Sequence, residues 1–241
     1  MNSAAFPDTK GTFMIQIVKQ DGTAYLTLDR PPLNYLNPEL MISLRDAMLA
    51  CDSDASVRAI VLRGAGEVFC GGVDGGEVRQ GDPAEFARTL VSLLRVFPGL
   101  GKPVLGAING DALMSGFALA VMTDVAVAAR GARLGTTEAQ AGMWPMIAQV
   151  PPLLRLQPRH ALENILTGEP FSADRAAQLG IVNEVVEPGE LDATVARWVE
   201  RVTRAAPEVL ARGRRAAHRF LQMPFDEALE SGLGEFVKLL S

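Results

Sequence analysis

Apolar and polar residues alternate through Phe13–Val18 and Thr23–Leu28, on either side of Asp21-Gly22. A period of two interrupted by Asp-Gly predicts two strands joined as a hairpin. The spacing then becomes helical. Asn37-Pro38-Glu39 supplies an N-cap, a proline for the first helical position and an acidic first turn. Leu40, Leu44, Ala47 and Met48 fall on one face of the helix that follows, which should run to about Cys51. Ala59–Leu62 reads as a short buried strand, and the stretch Gly64 to Gly76 fits neither period. Asp82-Pro83-Ala84-Glu85 opens a second helix with Phe86, Leu90, Leu93 and Leu94 apolar, and Gly101-Lys102-Pro103 breaks the chain before the strand Val104–Ile108.

After the Asn109-Gly110 turn, a helix of small residues is expected from near Ser115 to about Met122, and a strand at Val125–Ala129. Ser172 caps a short helix that Gly180 ends, and Ile181–Val186 is the next expected strand. From Leu191 the pattern is helical: Leu191–Ala205, Pro207–Leu221 and Phe225–Leu240. Strand and helix alternate to about residue 188, which predicts an α/β core over residues 1–188 and a helical region over residues 189–241.

Composition narrows the class. With 241 residues, 48% hydrophobic and 21% charged, the chain can bury a core without disulfides or a structural metal. Lys and Arg number 23 against 28 Asp and Glu, a net charge of −5, which gives no electrostatic reason to seek nucleic acid. The cysteines Cys51 and Cys70 and the histidines His160 and His218 are too scattered for a metal-ligand spacing. No apolar run approaches the ~18 residues of a membrane span. Met1–Pro7 lacks the basic and apolar regions of a secretory signal, so the cytoplasm is the expected compartment.

Three glycine-rich readings compete for Gly64–Gly76. A phosphate-binding P-loop needs a terminal Gly-Lys-Ser/Thr, which is missing, and Gly64-Ala65-Gly66-Glu67-Val68-Phe69 lacks the last glycine of a dinucleotide turn. What remains is a tight turn bringing backbone N–H groups to a ligand, with Asp74 suited to cap a helical turn behind it. Taken alone, the segment also suits a glycine-rich surface loop. A second turn adds weight: Lys102–Gly110 is a buried strand running into a turn, and Met114-Ser115-Gly116 opens a helix. A helix N-terminus offers free N–H donors and a positive dipole end, and two N–H groups from separate turns can share one oxygen.

Four stretches carry a resemblance in order along the chain. They are Arg30-Pro31-Pro32-Leu33-Asn34-Tyr35-Leu36-Asn37, Phe69-Cys70-Gly71-Gly72-Val73-Asp74, Lys102-Pro103 with Ala107-Ile108-Asn109-Gly110, and Phe171-Ser172-Ala173 with Leu179-Gly180-Ile181-Val182. Together they resemble the enoyl-CoA hydratase/isomerase (crotonase) superfamily over roughly residues 12–240. That resemblance implies a spiral of strand-strand-helix units with a C-terminal helical region that builds trimers, often paired into hexamers. It implies an acyl-CoA thioester as ligand, a thioester enolate held in an oxyanion hole, and no separate cofactor, since coenzyme A is part of the substrate.

Carried over by position, the hole donors are the N–H groups of Val73 and Ser115. Leu36, Gly71, Gly72, Asp74 and Gly116 fall along the ligand-contacting backbone, with Met143 and Trp144 beside the acyl site. The family has a run of three glycines where this chain reads Met114-Ser115-Gly116. Family hydratases hold water between two glutamates; one position is Ala118 here and the other is kept as Glu138. A single base beside an oxyanion hole suits proton transfer from C2 to C4, so isomerisation is expected ahead of hydration or dehydration, with a CoA-ester-binding protein of little activity as the further alternative. Hydration would need water, Asp111 or the substrate to supply the missing group. A pocket of Met143, Trp144 and Met146 is expected to desolvate Glu138 and raise its pKa. The Arg212, Arg214, Arg215 and Arg219 face reads as solvated or as a subunit contact, and His160 and His218 as structural or solvated.

Overall fold

The computed structural model describes residues 14–240, so the readings placed on Met1–Pro7 and Phe13 lie outside the described residues. The chain opens with the hairpin β1 (Ile15–Gln20) and β2 (Thr23–Leu28), whose two turn residues, Asp21 and Gly22, both take positive φ. Helix α1 (Pro38–Ser53) is capped by the Asn37 side chain, which accepts from the Leu40 N–H at 2.9 Å. Then come β3 (Ala59–Gly64), β4 (Val68–Cys70), the short α2 (Gly75–Gln80), α3 (Pro83–Gly99), β5 (Val104–Ile108), β6 (Asp111–Leu113) and α4 (Ser115–Met122). The second half holds β7 (Val125–Ala129), β8 (Arg133–Gly135), a 3-10 turn at Glu138–Ala141, α5 (Val150–Arg155), α6 (Pro158–Thr167), β9 (Phe171–Ser172), α7 (Ala173–Gln178) and β10 (Glu184–Val186). Helices α8 (Leu191–Val202), α9 (Pro207–Phe220) and α10 (Phe225–Leu240) complete it.

Two sheets result. The larger runs β1-β2-β3-β5-β7-β10, parallel from β2 onward, and the smaller runs β4-β6-β8-β9. Each turn of the chain lays one strand in the large sheet, one in the small sheet, and then a helix, giving β3-β4, β5-β6 and β7-β8 in succession. This is the α/β spiral of strand-strand-helix units. Both faces of the inner strands β3, β5 and β7 are covered, which is why they read as apolar runs, whereas the edge strand β1 is exposed and alternates. Ile60, Leu62, Val104 and Ile108 pack toward α1 and α3, while Ala59, Val61, Leu105, Ala107 and Val127 meet Leu191, Val195 and Val199 of α8.

The structure shortens two expected elements. Ile181–Val186 is strand only from Glu184, because Gly180 turns left-handed and the Ile181 N–H closes on the Ala176 carbonyl of α7 at 2.8 Å. Leu191–Ala205 is helical only to Val202. The strands of the small sheet are two or three residues long, too short to display a period, and sequence reading passes over them.

The expected basic face of α9 is solvated at Arg215 and Arg219, part-exposed at Arg212, and departs from expectation at Arg214. Arg214 is buried, with Nε 2.7 Å from Asp124 Oδ2 and Nη1 donating to the Phe97 and Leu100 carbonyls at 2.8 and 2.6 Å. Arg215 reaches Asp52 and the Gly99 carbonyl, and Arg212 and Arg219 both reach Glu235 of α10. His218 is buried too, its Nε2 2.7 Å from Asp124 Oδ1. His160 is part-exposed beside Glu163. Asp124, just past the end of α4, therefore staples α9 to the core. Burial alone would raise its carboxyl pKa, but the His218 hydrogen bond and the Arg214 charge outweigh it and hold it below the ordinary value.

Asp124→Asn would leave Arg214 buried without its counter-charge, a change that typically costs about 3 kcal/mol or more; urea unfolding should show the loss. Because the folded pKa is depressed, the parent protein should keep this contribution above the ordinary carboxylate range and lose it as pH falls through the folded value. The variant should show a correspondingly flatter acid limb in a stability-against-pH series.

Candidate active site

Three strands of the small sheet run parallel side by side, and their registers decide what meets beyond their ends. Cys70 of β4 sits opposite Ala112 of β6, and Leu113 of β6 opposite Gly135 of β8. Val73 follows Cys70 by three residues, Ser115 follows Leu113 by two and Glu138 follows Gly135 by three. The three sequence-predicted catalytic positions thus leave the carboxyl ends of three adjacent parallel strands, where open α/β sheets commonly bind ligands.

The first turn is tied down from beneath. Leu36 is fully buried; its N–H donates to the Gly72 carbonyl at 2.7 Å, and its carbonyl accepts the Asp74 N–H at 2.9 Å. The Gly71 N–H donates to the Leu33 carbonyl at 2.8 Å. Asp74 caps α2, accepting from the Gly76 and Glu77 N–H groups, and pairs with Arg30 at 2.8 Å. That guanidinium holds the Asp74 carboxyl below its ordinary pKa, so Asp74 serves as an ionised clamp. Fully buried Asn34 adds its side-chain amide, bonded to the Ala65 and Val68 carbonyls. Between these ties the Val73 N–H is left unspent among the described residues.

The second turn packs directly on the first. A Cβ placed on Gly72, which has φ +106°, would fall 2.4 Å from Met114 Cβ, and one on Gly116 would fall 2.2 Å from the Cys70 carbonyl oxygen. Only glycine allows either approach. Ser115 is the first residue of α4, so its N–H has no partner within the helix and finds none among the other described residues. Two unspent main-chain donors therefore stand on touching turns, one at a helix N-terminus.

Glu138 is 7% exposed, and its Oε2 is sealed from solvent with no hydrogen-bond partner among the described residues. Burial pushes its pKa above the ordinary carboxylate value, and the nearby Glu138 and Thr137 N–H groups offset only part of that. A second, unforeseen device fixes the chain that presents it. Asn164 of α6, 1% exposed, accepts from Thr136 N and Oγ1 at 2.8 Å each and donates to the Thr136 and Glu169 carbonyls at 3.0 and 2.8 Å. An asparagine on the buried Ala161–Ile165 face of α6 was the sequence signal for it.

Other expected groups are more open or already engaged. Met143, Trp144 and Met146 are 50%, 43% and 70% exposed, not an enclosed pocket, and the Trp144 indole bonds Gln149. Asp111 is committed to Arg133, accepting from its backbone N–H at 2.9 Å and from its guanidinium, so it is not free for chemistry. Ala118 is fully buried with no carboxylate to offer. The Cys70 thiol, pushed up to about 12 by burial, is no nucleophile. Among the described residues no group of three His, Cys, Asp or Glu is placed to hold a metal, and no helix is long and apolar enough to cross a membrane.

Comparison with known proteins agrees with this architecture. The family model described as enoyl-CoA hydratase/isomerase matches residues 18–241. A protein named probable enoyl-CoA hydratase 1, peroxisomal, from Arabidopsis thaliana is 40% identical over 184 residues, covering 73% of this chain and 68% of that one. The short-chain-enoyl-CoA hydratase of Clostridium acetobutylicum is 32% identical over 217 residues, covering 88% and 83%. The crystal structure of an enoyl-CoA hydratase from Mycobacterium smegmatis superposes with a TM-score of 0.90 at 27% identity, covering 94% of this chain and 91% of that one. With the matched fold, the two touching turns and the ordered motifs in one molecule, the chain belongs to the enoyl-CoA hydratase/isomerase family.

Proposed function

We propose that the chain acts on an acyl-CoA thioester, whose carbonyl oxygen accepts the Val73 and Ser115 N–H groups while Glu138 moves the proton at the neighbouring carbon. The observation that carries this is the buried, unpartnered Glu138 oxygen, on a segment leaving the strand next to those that carry the two unspent donors. Preorganised donors aimed at a developing oxyanion stabilise an enolate, and they need no movement when its charge forms. A carboxylate held above its ordinary pKa is a stronger base once ionised and a competent acid once protonated.

The same groups serve two reactions. In hydration of a 2-enoyl thioester, Glu138 takes a proton from water, the hydroxyl adds to C3, and the carboxylic acid returns the proton to C2 of the enolate. In isomerisation of a 3-enoyl thioester, Glu138 takes the C2 proton, the double bond moves to C2–C3, and the proton returns at C4. The names of the relatives favour hydration, and we place it first. Isomerisation, the first expectation from sequence, is favoured by one observation: the second carboxylate position is Ala118, and Asp111 is occupied by Arg133.

We further propose a homotrimer or a pair of trimers. Leu229, Leu233, Phe236 and Val237 of α10 are each more than half exposed at helical spacing, a stripe that water does not favour. The unpaired, buried Cys51 and Cys70 support the cytoplasm as the compartment.

Offered both a 2-enoyl-CoA and a 3-enoyl-CoA, the protein should hydrate the first; isomerisation of the second with no hydration would put isomerisation ahead of hydration. Turnover of neither, with binding retained, would leave a CoA-ester-binding protein. Glu138→Gln should reduce turnover about a thousand-fold with little change in binding of a saturated acyl-CoA. The acid limb of the parent's pH–rate profile should lie above the ordinary carboxylate range. A raised folded pKa means ionisation costs stability as pH rises through it, so Glu138→Gln should melt above the parent at about pH 8 and lose that advantage near about pH 4. Leu233→Glu should lower the mass measured by light scattering toward that of a single chain.

A further inference from the structure

Met114 sits in a backbone conformation that methionine disfavours, with φ 53° and ψ −126°. Among the described residues the other non-glycine positions with positive φ are Asp21 and Asn34, types that tolerate that region. Met114 is held there by its neighbours: its N–H donates to the Gly135 carbonyl at 3.0 Å, and its carbonyl accepts from Phe117 and Ala118 at 3.1 and 3.3 Å. Glycine would satisfy the same bonds without strain. What methionine adds is therefore its side chain.

That side chain lies between the two donor turns. A Cβ on Gly72 would come 2.4 Å from Met114 Cβ and 3.0 Å from its Sδ, so the thioether stem runs over the residue that precedes the Val73 donor. Met114 itself immediately precedes the Ser115 donor, and it is half-buried, leaving part of its surface to the outside of the turn. A group bound with its carbonyl oxygen between those two N–H groups has its C2 atom one bond from the carbonyl carbon. Substituents on C2 are thus the first part of the acyl chain to meet whatever stands beside the hole.

We propose that Met114 is a specificity-determining residue: its thioether fills the space beside the hole, so the site takes thioesters unbranched at C2 and rejects those carrying a methyl there. This rests on the acyl-CoA reading above. Strain retained beside a binding site is explained by what the strained residue does there. A single misplaced methyl changes affinity by roughly 10- to 200-fold in a fitted pocket.

The test uses two unreactive isomers, butanoyl-CoA and 2-methylpropanoyl-CoA, titrated calorimetrically into the parent, Met114→Ala and Met114→Gly. The alanine variant keeps the strained backbone and removes the thioether; the glycine variant removes both. The parent should bind the straight ester about ten-fold tighter or more, and both variants should close that gap to about three-fold or less by gaining affinity for the branched ester. Met114→Gly should also melt at a higher temperature than the parent. A gap unchanged in both variants, or an equal loss of affinity for both esters, overturns the assignment. Failure of all three proteins to bind either ester overturns the acyl-CoA reading and this one with it, and is distinguishable from the first result.

Discussion

Everything at the site depends on how closely two backbone turns can approach. The Gly116 Cα lies so near the Cys70 carbonyl, and Gly72 so near Met114, that one added carbon at either glycine would collide. These two contacts, one with the Cys70 backbone and one with the Met114 side chain, set two amide hydrogens on touching turns. The parallel register of β4, β6 and β8 brings the turns to one edge of the small sheet, and the inner strands of the large sheet, buried on both faces, give that edge a rigid foundation. Arg30, Asn34 and Asp74 then tie down the first turn through their side chains. The Val73 N–H stays unspent among these ties.

Much of this was legible in the residues because it rests on local chemistry. Asn37 before Pro38, Asp82 before Pro83, Ser172 before Ala173 and Gly180 after α7 mark helix ends through capping bonds that neighbouring residues form. The apolar faces of α1 and α3 appear at their expected positions for the same reason. The small sheet was not legible, since a three-residue strand shows no period and is defined only by partners 22 to 43 residues away. The role of the α9 arginines was hidden in the same manner: their spacing describes a charged helix face, while the acids that claim them lie far off in sequence.

At the candidate site, motif order pointed to the two turns and Glu138, and the structure sets all three at the ends of adjacent strands in surroundings that differ from those expected. Met143, Trp144 and Met146 are close to Glu138 in sequence, yet the 3-10 turn and Gly142 carry them outward. Its burial is accompanied instead by a staple to α6, through an asparagine 26 residues downstream that no local pattern connects to it. Asp111 and Ala118 show the complementary lesson: a carboxylate near the site is unusable when an arginine already holds it, and a buried alanine makes the loss of a second one structural.

The unspent donors at Val73 and Ser115 are main-chain atoms, and this has an evolutionary consequence. Coding changes replace side chains; apart from proline, none deletes an amide hydrogen. Selection can therefore exchange the side chains around Val73 and Ser115 while the two amide donors persist with the fold. Here methionine stands at the N-cap of α4 and a buried alanine one turn into it, and the Val73 and Ser115 N–H groups are unspent all the same.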